Sequence, residues 1–313
     1  MKEETVEVFT DLFAEGYLPP KAILYLGLIC NLRCPYCYLP YKSTMPDEVK
    51  FDQLLEKLLS LDVKRLEVLG GEPFIYKNRL LLVLEQVKKR NIALAISTNG
   101  LIYDKEVVEK LRMSGIEKFQ VSIDACTPAT YMKVRSGTAE NFDKVIKNIK
   151  RFQEDGLDVI LSFVLVKPNI NELGAFVEMA NRLNVRRLNI GTFTPVGEGK
   201  NVWNWMLTQE DFNSVSAQLE KLKVSYPNID ISFNGAEGGA GELCNAGTTE
   251  IAVLPNGDIY PCGLFVGLPS YKIGNLFTGL NATRLKSILV KETLLANSYR
   301  QRCVACKITT EVK

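Results

Sequence analysis

The sequence predicts an α/β fold: a partial barrel of six β/α units, followed by a small β-hairpin and helix extension. Two observations carry this. From about Lys21 to Pro195, short β-rich runs alternate with stretches of helical periodicity. After Pro195 the alternation stops, and glycines, a hairpin signal and four cysteines take over.

The expected strands are Ala22–Leu28, Arg65–Leu69, Ile92–Ser97, Phe119–Ile123, Val159–Val166 and Arg187–Phe193. Between them, Phe51, Leu54, Leu55, Leu58 and Leu59 share one helical face, as do Phe142, Val145, Ile146, Ile149 and Phe152. Leu173, Phe176, Val177 and Ala180 mark a further helix. Another helix runs from Asp104, a side chain suited to capping, to Gly115, a residue suited to the left-handed exit. Such alternation implies right-handed crossovers and a parallel sheet, with ligands at the C-terminal strand ends. Six units are fewer than the eight of a closed barrel, so an open sheet is expected.

Residues 1–20 form an N-terminal extension and 21–195 the partial barrel in this reading. Residues 196–233 supply a loop, Pro195–Trp205, and a helix near Thr208–Val224. Residues 234–313 form the extension, in which Pro255-Asn256-Gly257 turns a hairpin between Ile251–Leu254 and Asp258–Tyr260.

Charge and composition exclude several functions. Net charge is +2 over 313 residues and the basic residues are dispersed, which gives no nucleic-acid or membrane-surface footprint. No apolar run has transmembrane length, and Met1–Thr10 is acidic without a signal-peptide core. A cytoplasmic location is expected, where cysteines serve more as metal ligands or buried thiols than as disulfides. There are eight cysteines and no histidine. Metal chemistry must then use thiolate or carboxylate, and proton transfer must use other side chains.

Three cysteines fall in Cys30-Asn31-Leu32-Arg33-Cys34-Pro35-Tyr36-Cys37. A loop this short can place three thiolates on one iron–sulfur cube and leave one iron open. A structural zinc knuckle, which needs a fourth ligand, and three metal-free buried thiols stay open on spacing alone. Four further motifs sit at expected strand ends: Gly70-Gly71-Glu72-Pro73, Ser97-Thr98-Asn99-Gly100, Ser122-Ile123-Asp124 with Arg135 beyond it, and Val164-Leu165. Glycines permit close approach of backbone, a carboxylate suits an ammonium, and an arginine is the natural fork for a carboxylate.

In this order the motifs resemble those of the radical S-adenosylmethionine (SAM) superfamily, over residues 21 to about 195. The resemblance implies a 4Fe-4S cluster on Cys30, Cys34 and Cys37 whose open iron binds SAM. It implies that Gly70, Gly71, Glu72 and Pro73 meet the SAM amino group, and that Ser97 and Asn99 lie near the ribose. Ser122 and Arg135 would hold the carboxylate with Asp124 nearby, and Val164, Leu165 and Tyr36 would meet the adenine. The implied activity is reductive cleavage of SAM to a 5′-deoxyadenosyl radical, which takes a hydrogen atom from substrate.

Cys244, Cys262, Cys303 and Cys306 form a second set. A four-thiolate zinc site has similar spacing. Attached to such a core, the arrangement resembles the twitch domain, a shortened SPASM domain, and implies a second, auxiliary 4Fe-4S cluster with four cysteine ligands. A saturated cluster can accept an electron, which points to net oxidation of a peptide or small molecule. The alternatives are a redox-neutral peptide epimerase or other maturase, with Cys126 as a hydrogen donor, and a non-catalytic iron–sulfur electron carrier or scaffold. An electron donor such as ferredoxin or flavodoxin is implied, and a leader-peptide-binding protein could be separate. The catalytic base is unassigned; Glu237, Glu242, Asn245, Tyr260, Trp203 and Trp205 could reach the cavity or simply pack.

Overall fold

The computed structural model of the chain describes residues 20–40, 51–234 and 250–280. Its parallel strands are β1 (Lys21–Tyr25), β2 (Arg65–Leu69), β3 (Ala93–Thr98), β4 (Lys118–Ser122), β5 (Val159–Leu165), β6 (Arg187–Thr192) and β7 (Asp230–Asn234). They pair in sequence order, each with the next. A sheet that advances strand by strand in one direction curls as a barrel wall does, unlike a doubly wound sheet whose order reverses.

Helices α1 (Phe51–Leu59), α2 (Lys77–Arg90), α3 (Lys105–Met113), α4 (Pro128–Arg135), α5 (Ala139–Glu154), α6 (Leu173–Arg182) and α7 (Gln209–Ser225) fill the crossovers. Their starts are written in side chains. Asp104 Oδ1 accepts from Val107 N at the head of α3, and Thr138 with Asn141 forms a reciprocal cap on α5. Gly115 follows α3 with φ +68°, a conformation that glycine adopts without a Cβ penalty. The apolar stripes meet the sheet. Leu66 and Val68 of β2, Phe119 and Val121 of β4 and Leu161 and Phe163 of β5 are buried with Leu80, Val83, Val145, Ile149 and Phe152 in one core.

Three features go beyond the sequence reading. A seventh parallel strand, β7, pairs with β6 along its whole length. Helices α2 and α4 form, and Leu80, Val83, Leu84 and Val87 give α2 the spacing of an amphipathic helix. The Gly197–Trp205 segment is a kinked 3₁₀ turn rather than an irregular loop. The hairpin signal is met by β8 (Glu250–Val253) and β9 (Asp258–Tyr260), with Gly257 at φ +84° in the turn. β8 also pairs in parallel with β1, which joins this segment to the first strand of the barrel wall. β10 (Gly274–Asn275) and β11 (Gly279–Leu280) extend the same edge. No helix among the described residues is long and apolar enough to cross a membrane.

Phe152 is fully buried and its ring meets Phe119 at 4.9 Å and Tyr103 at 5.6 Å between centroids. Phe152→Ala is expected to lower stability by about 3–5 kcal/mol in denaturant unfolding. Lys147→Ala, on the exposed face of the same helix, should change it by less than about 0.5 kcal/mol.

Candidate functional site

At the C-terminal ends of the strands lies a cavity of about 390 Å³. Its walls include Cys30, Cys34, Cys37 and Tyr36 from the segment after β1, Gly70, Gly71 and Glu72 after β2, and Ser97 and Asn99 from β3 and its exit. Ser122, Asp124, Arg135 and Val164 complete the contribution of the sequence motifs. Pro73 is buried at the start of a short 3₁₀ turn, and Leu165 points to the opposite, helix-packed face of β5; neither lines the cavity.

Two buried carboxylates fix the cysteine segment to this rim. Glu72 accepts from Phe74 N at 3.1 Å, from the Thr98 hydroxyl at 2.7 Å and from Asn99 N at 2.8 Å. Burial pushes its pKa up, and those three donors oppose the rise. Asn99 in turn donates to Asn31 Oδ1 at 2.7 Å and approaches Cys30 Sγ at 3.7 Å. The carboxylate expected to face an ammonium is thus occupied largely by the protein itself.

On the other side, Asp124 is fully buried with φ +53°. Its Oδ1 accepts from Val164 N at 2.6 Å, and its Oδ2 accepts from Arg135 Nη1 at 2.6 Å and from the Tyr36 hydroxyl. The Asn169 amide donates to its carbonyl at 3.0 Å. Cys34 Sγ lies 3.5 Å from the Arg135 carbonyl.

The glycines serve this closure. A Cβ on Gly71 would sit 2.2 Å from the Ile29 carbonyl oxygen, and one on Gly70 would sit 2.8 Å from the Gly27 carbonyl oxygen. Gly71 N and Glu72 N donate to those strand-exit carbonyls at 2.9 and 3.0 Å. Here the glycine pair lets backbone approach backbone, seating the cysteine segment beside β2.

Sequence reasoning missed several wall residues: Glu67, Gln120, Ser162, Thr192, Phe193, Thr194 and Leu264. Glu67, Gln120 and Ser162 are inward positions of the strand alternation, the one signal that could have found them; Thr192, in register with Leu165, reaches the wall as the last residue of β6. Gln120 donates to Ser97 at 3.2 Å and accepts from Asn189 at 2.9 Å, which makes a polar floor. Glu67, Ser97 and Gln120 also border a second cavity of about 230 Å³ beneath, toward Lys21, Arg65 and Lys118.

Cys126 lies outside the cavity walls. Its thiol donates to the Glu172 carbonyl at 3.6 Å, and burial followed by the Glu172 charge pushes its pKa up to about 12. Trp203 is 56% exposed and Trp205 packs against the main core, while Tyr260 is buried in the C-terminal core. Cys262 packs against the cluster that holds Tyr25, as Cys37 and Tyr38 do, and the Tyr25 and Tyr38 hydroxyls meet at 3.1 Å. Cys244, Cys303, Cys306, Glu237, Glu242 and Asn245 lie outside the described residues.

The donor chemistry suits an iron–sulfur cluster with SAM. Three sulfurs edge the cavity, and burial pushes the Cys34 thiol up to about 12; thiolates are the form in which cysteines hold a metal or cluster. No three Cys, Asp or Glu side chains among the described residues are arranged around a single ion. Arg135 is buried, and its Nε makes no hydrogen bond. Arg135 borders the cavity, and its guanidinium charge suits an anion there.

The Radical SAM superfamily pattern matches residues 24–183, and the chain belongs to this superfamily of enzymes. A probable GTP 3′,8-cyclase of Saccharolobus islandicus is 27% identical over 202 residues, 63% of each chain. The protein thus spans under two thirds of that cyclase. The mycofactocin maturase MftC of Mycolicibacterium smegmatis is 26% identical over 271 residues, 83% of this chain and 68% of MftC. In fold, the chain is similar to SuiB of Streptococcus suis bound to the precursor peptide SuiA, at TM-score 0.71 and 18% identity, over 88% of this chain and 67% of SuiB. It is also similar to anSMEcpe with AdoMet and the Cp18Cys peptide, at TM-score 0.68 and 19% identity, over 85% of this chain and 79% of the other.

Gly71→Ala tests the backbone closure. The displaced partner is the Ile29 carbonyl, one residue before Cys30, and no flexible side chain can yield in its place. Iron bound per chain after anaerobic reconstitution should fall to less than half of wild type. Gly191→Ala, where a Cβ meets nothing within 4 Å, should load normally.

Proposed function

We propose that the protein is a radical SAM enzyme that modifies a peptide by net oxidation. One observation carries the reading: a single cavity gathers the three cysteines with Glu72, Asn99, Ser122, Asp124 and Arg135 from successive strand ends. In it, Cys30, Cys34 and Cys37 would hold a 4Fe-4S cluster, and Arg135 with Ser122 would bind the SAM carboxylate. Tyr36 and Val164 would bound the adenine. A cluster so held supplies reductive cleavage of the SAM sulfonium and, through it, hydrogen-atom abstraction from substrate.

The chain's own residues do the rest. Glu72 and Asp124 orient the rim, and Phe193, stacked edge-on to Tyr36 at 6.2 Å, excludes water from one wall. Peptide as the substrate class is supported by MftC, named a maturase, and by the fold shared with SuiB and anSMEcpe, both captured with peptides.

Oxidation, rather than return of a hydrogen atom, is supported by the placement of Cys126 outside the cavity. The remaining electron would pass to an auxiliary 4Fe-4S cluster on Cys244, Cys262, Cys303 and Cys306, in a twitch-like segment. The packing of Cys262 against the same cluster as Cys37 supports such a neighbour. The enzyme would take its reducing electron from a ferredoxin or flavodoxin.

Iron and sulfide content after anaerobic reconstitution tests the cofactor assignment. About eight irons per chain should fall to about four when Cys30, Cys34 and Cys37 are all replaced by Ala, with 5′-deoxyadenosine release abolished. Four irons falling to none, with zinc present, would remove the electron acceptor. Consumption of GTP with matching 5′-deoxyadenosine release would replace the peptide reading with a nucleotide one.

A further inference from the structure

Tyr36 stands between Cys34 and Cys37, yet its hydroxyl belongs to a different network. It donates to Asp124 Oδ2 and accepts from Arg135 Nη1 at 3.2 Å, while the same Nη1 donates to the same Oδ2 at 2.6 Å. The three groups close a triangle, and all are buried. The other Asp124 oxygen is taken by Val164 N.

Asp124 holds this position at φ +53°, a conformation that costs a non-glycine residue about 1 kcal/mol or more. The surrounding hydrogen bonds overdetermine it. Arg135 is the last residue of α4, and an arginine side chain carries about 2 kcal/mol of rotamer entropy when free. Fixing Nη1 on two acceptors removes that freedom before any ligand arrives, with the guanidinium still bordering the cavity. Preorganised donors bind an anion at lower cost than mobile ones.

We propose that Tyr36 is a positioning residue for the carboxylate of SAM, acting through its hydroxyl on Asp124 and Arg135. The proposal rests on the radical SAM reading of Arg135 above. It separates two roles of one side chain: the ring, which bounds the adenine wall, and the hydroxyl, which ties the cysteine segment to the carboxylate fork. The cluster segment and the anion site are then one mechanical unit.

The test uses Tyr36→Phe, which keeps the ring, in anaerobically reconstituted protein. The probes are SAM and decarboxylated SAM, and the readouts are iron content and equilibrium binding of each. Wild type should prefer SAM. In Tyr36→Phe, the SAM Kd should rise about tenfold, the worth of one hydrogen bond to a charged group, with decarboxylated SAM and iron content unchanged. Equal weakening of both probes would reveal a general structural role, and no weakening of either would show that the hydroxyl is idle; each overturns the proposal. Arg135→Gln, which removes the charge and keeps a donor, separates the premises. If it leaves the preference for SAM intact, the carboxylate assignment itself falls. If it abolishes the preference while Tyr36→Phe does not, only the role of Tyr36 falls.

Discussion

The site depends on two carboxylates that have left water. Glu72 and Asp124 each accept three hydrogen bonds below the rim of the sheet, and between them they reach β2, β3, β5, α4 and the cysteine segment. A buried carboxylate without partners is costly, so each imposes its geometry on every donor around it. The Asp124–Arg135 pair adds a buried charge on both sides. Removing one member of such a pair typically costs about 3–5 kcal/mol, because the other is stranded. The three cysteines, the proposed cluster ligands, are positioned by groups that are not themselves proposed as ligands.

Much of the barrel wall was legible because strand burial on the helix side writes apolar runs into the sequence, and helix starts such as Asp104 are local signals. β7 was missed because Asp230-Ile-Ser-Phe-Asn is short and alternating, and its status comes from pairing with β6. The cysteines and the Asp124–Arg135 neighbourhood were legible as residue types in order along the chain. The part of Glu72 was not, because its partners Thr98 and Asn99 are 26 and 27 residues away and no local pattern declares them. The glycine pair was read as space for a ligand. The contact it relieves is with the backbone of residues 27–29, visible only once two strands stand side by side.

The inner face of the sheet follows another logic. In a closed barrel, branched apolar side chains fill the interior. Here Ser97, Gln120, Ser162 and Asn189 occupy inward positions, and Gln120 bridges two of its neighbours. A polar floor forgoes apolar packing but supplies fixed dipoles beneath the reacting groups, where displaced water would otherwise have to reorganise.

The pairing of β8 with β1 bears on how the protein is made. Lys21 and Glu250 are bonded partners 229 positions apart. At ribosomal speeds of about 5–20 residues per second, the edge of β1 waits roughly 10 to 45 seconds for its second neighbour. Throughout that interval the strand leading into the cysteine segment is exposed to solvent and to other nascent chains along one side. In the proposed reading, metal delivery to the three thiols would share that interval with the hazard of edge-to-edge misassembly. Growth temperature and translation rate, as much as iron supply, would govern the yield of loaded enzyme.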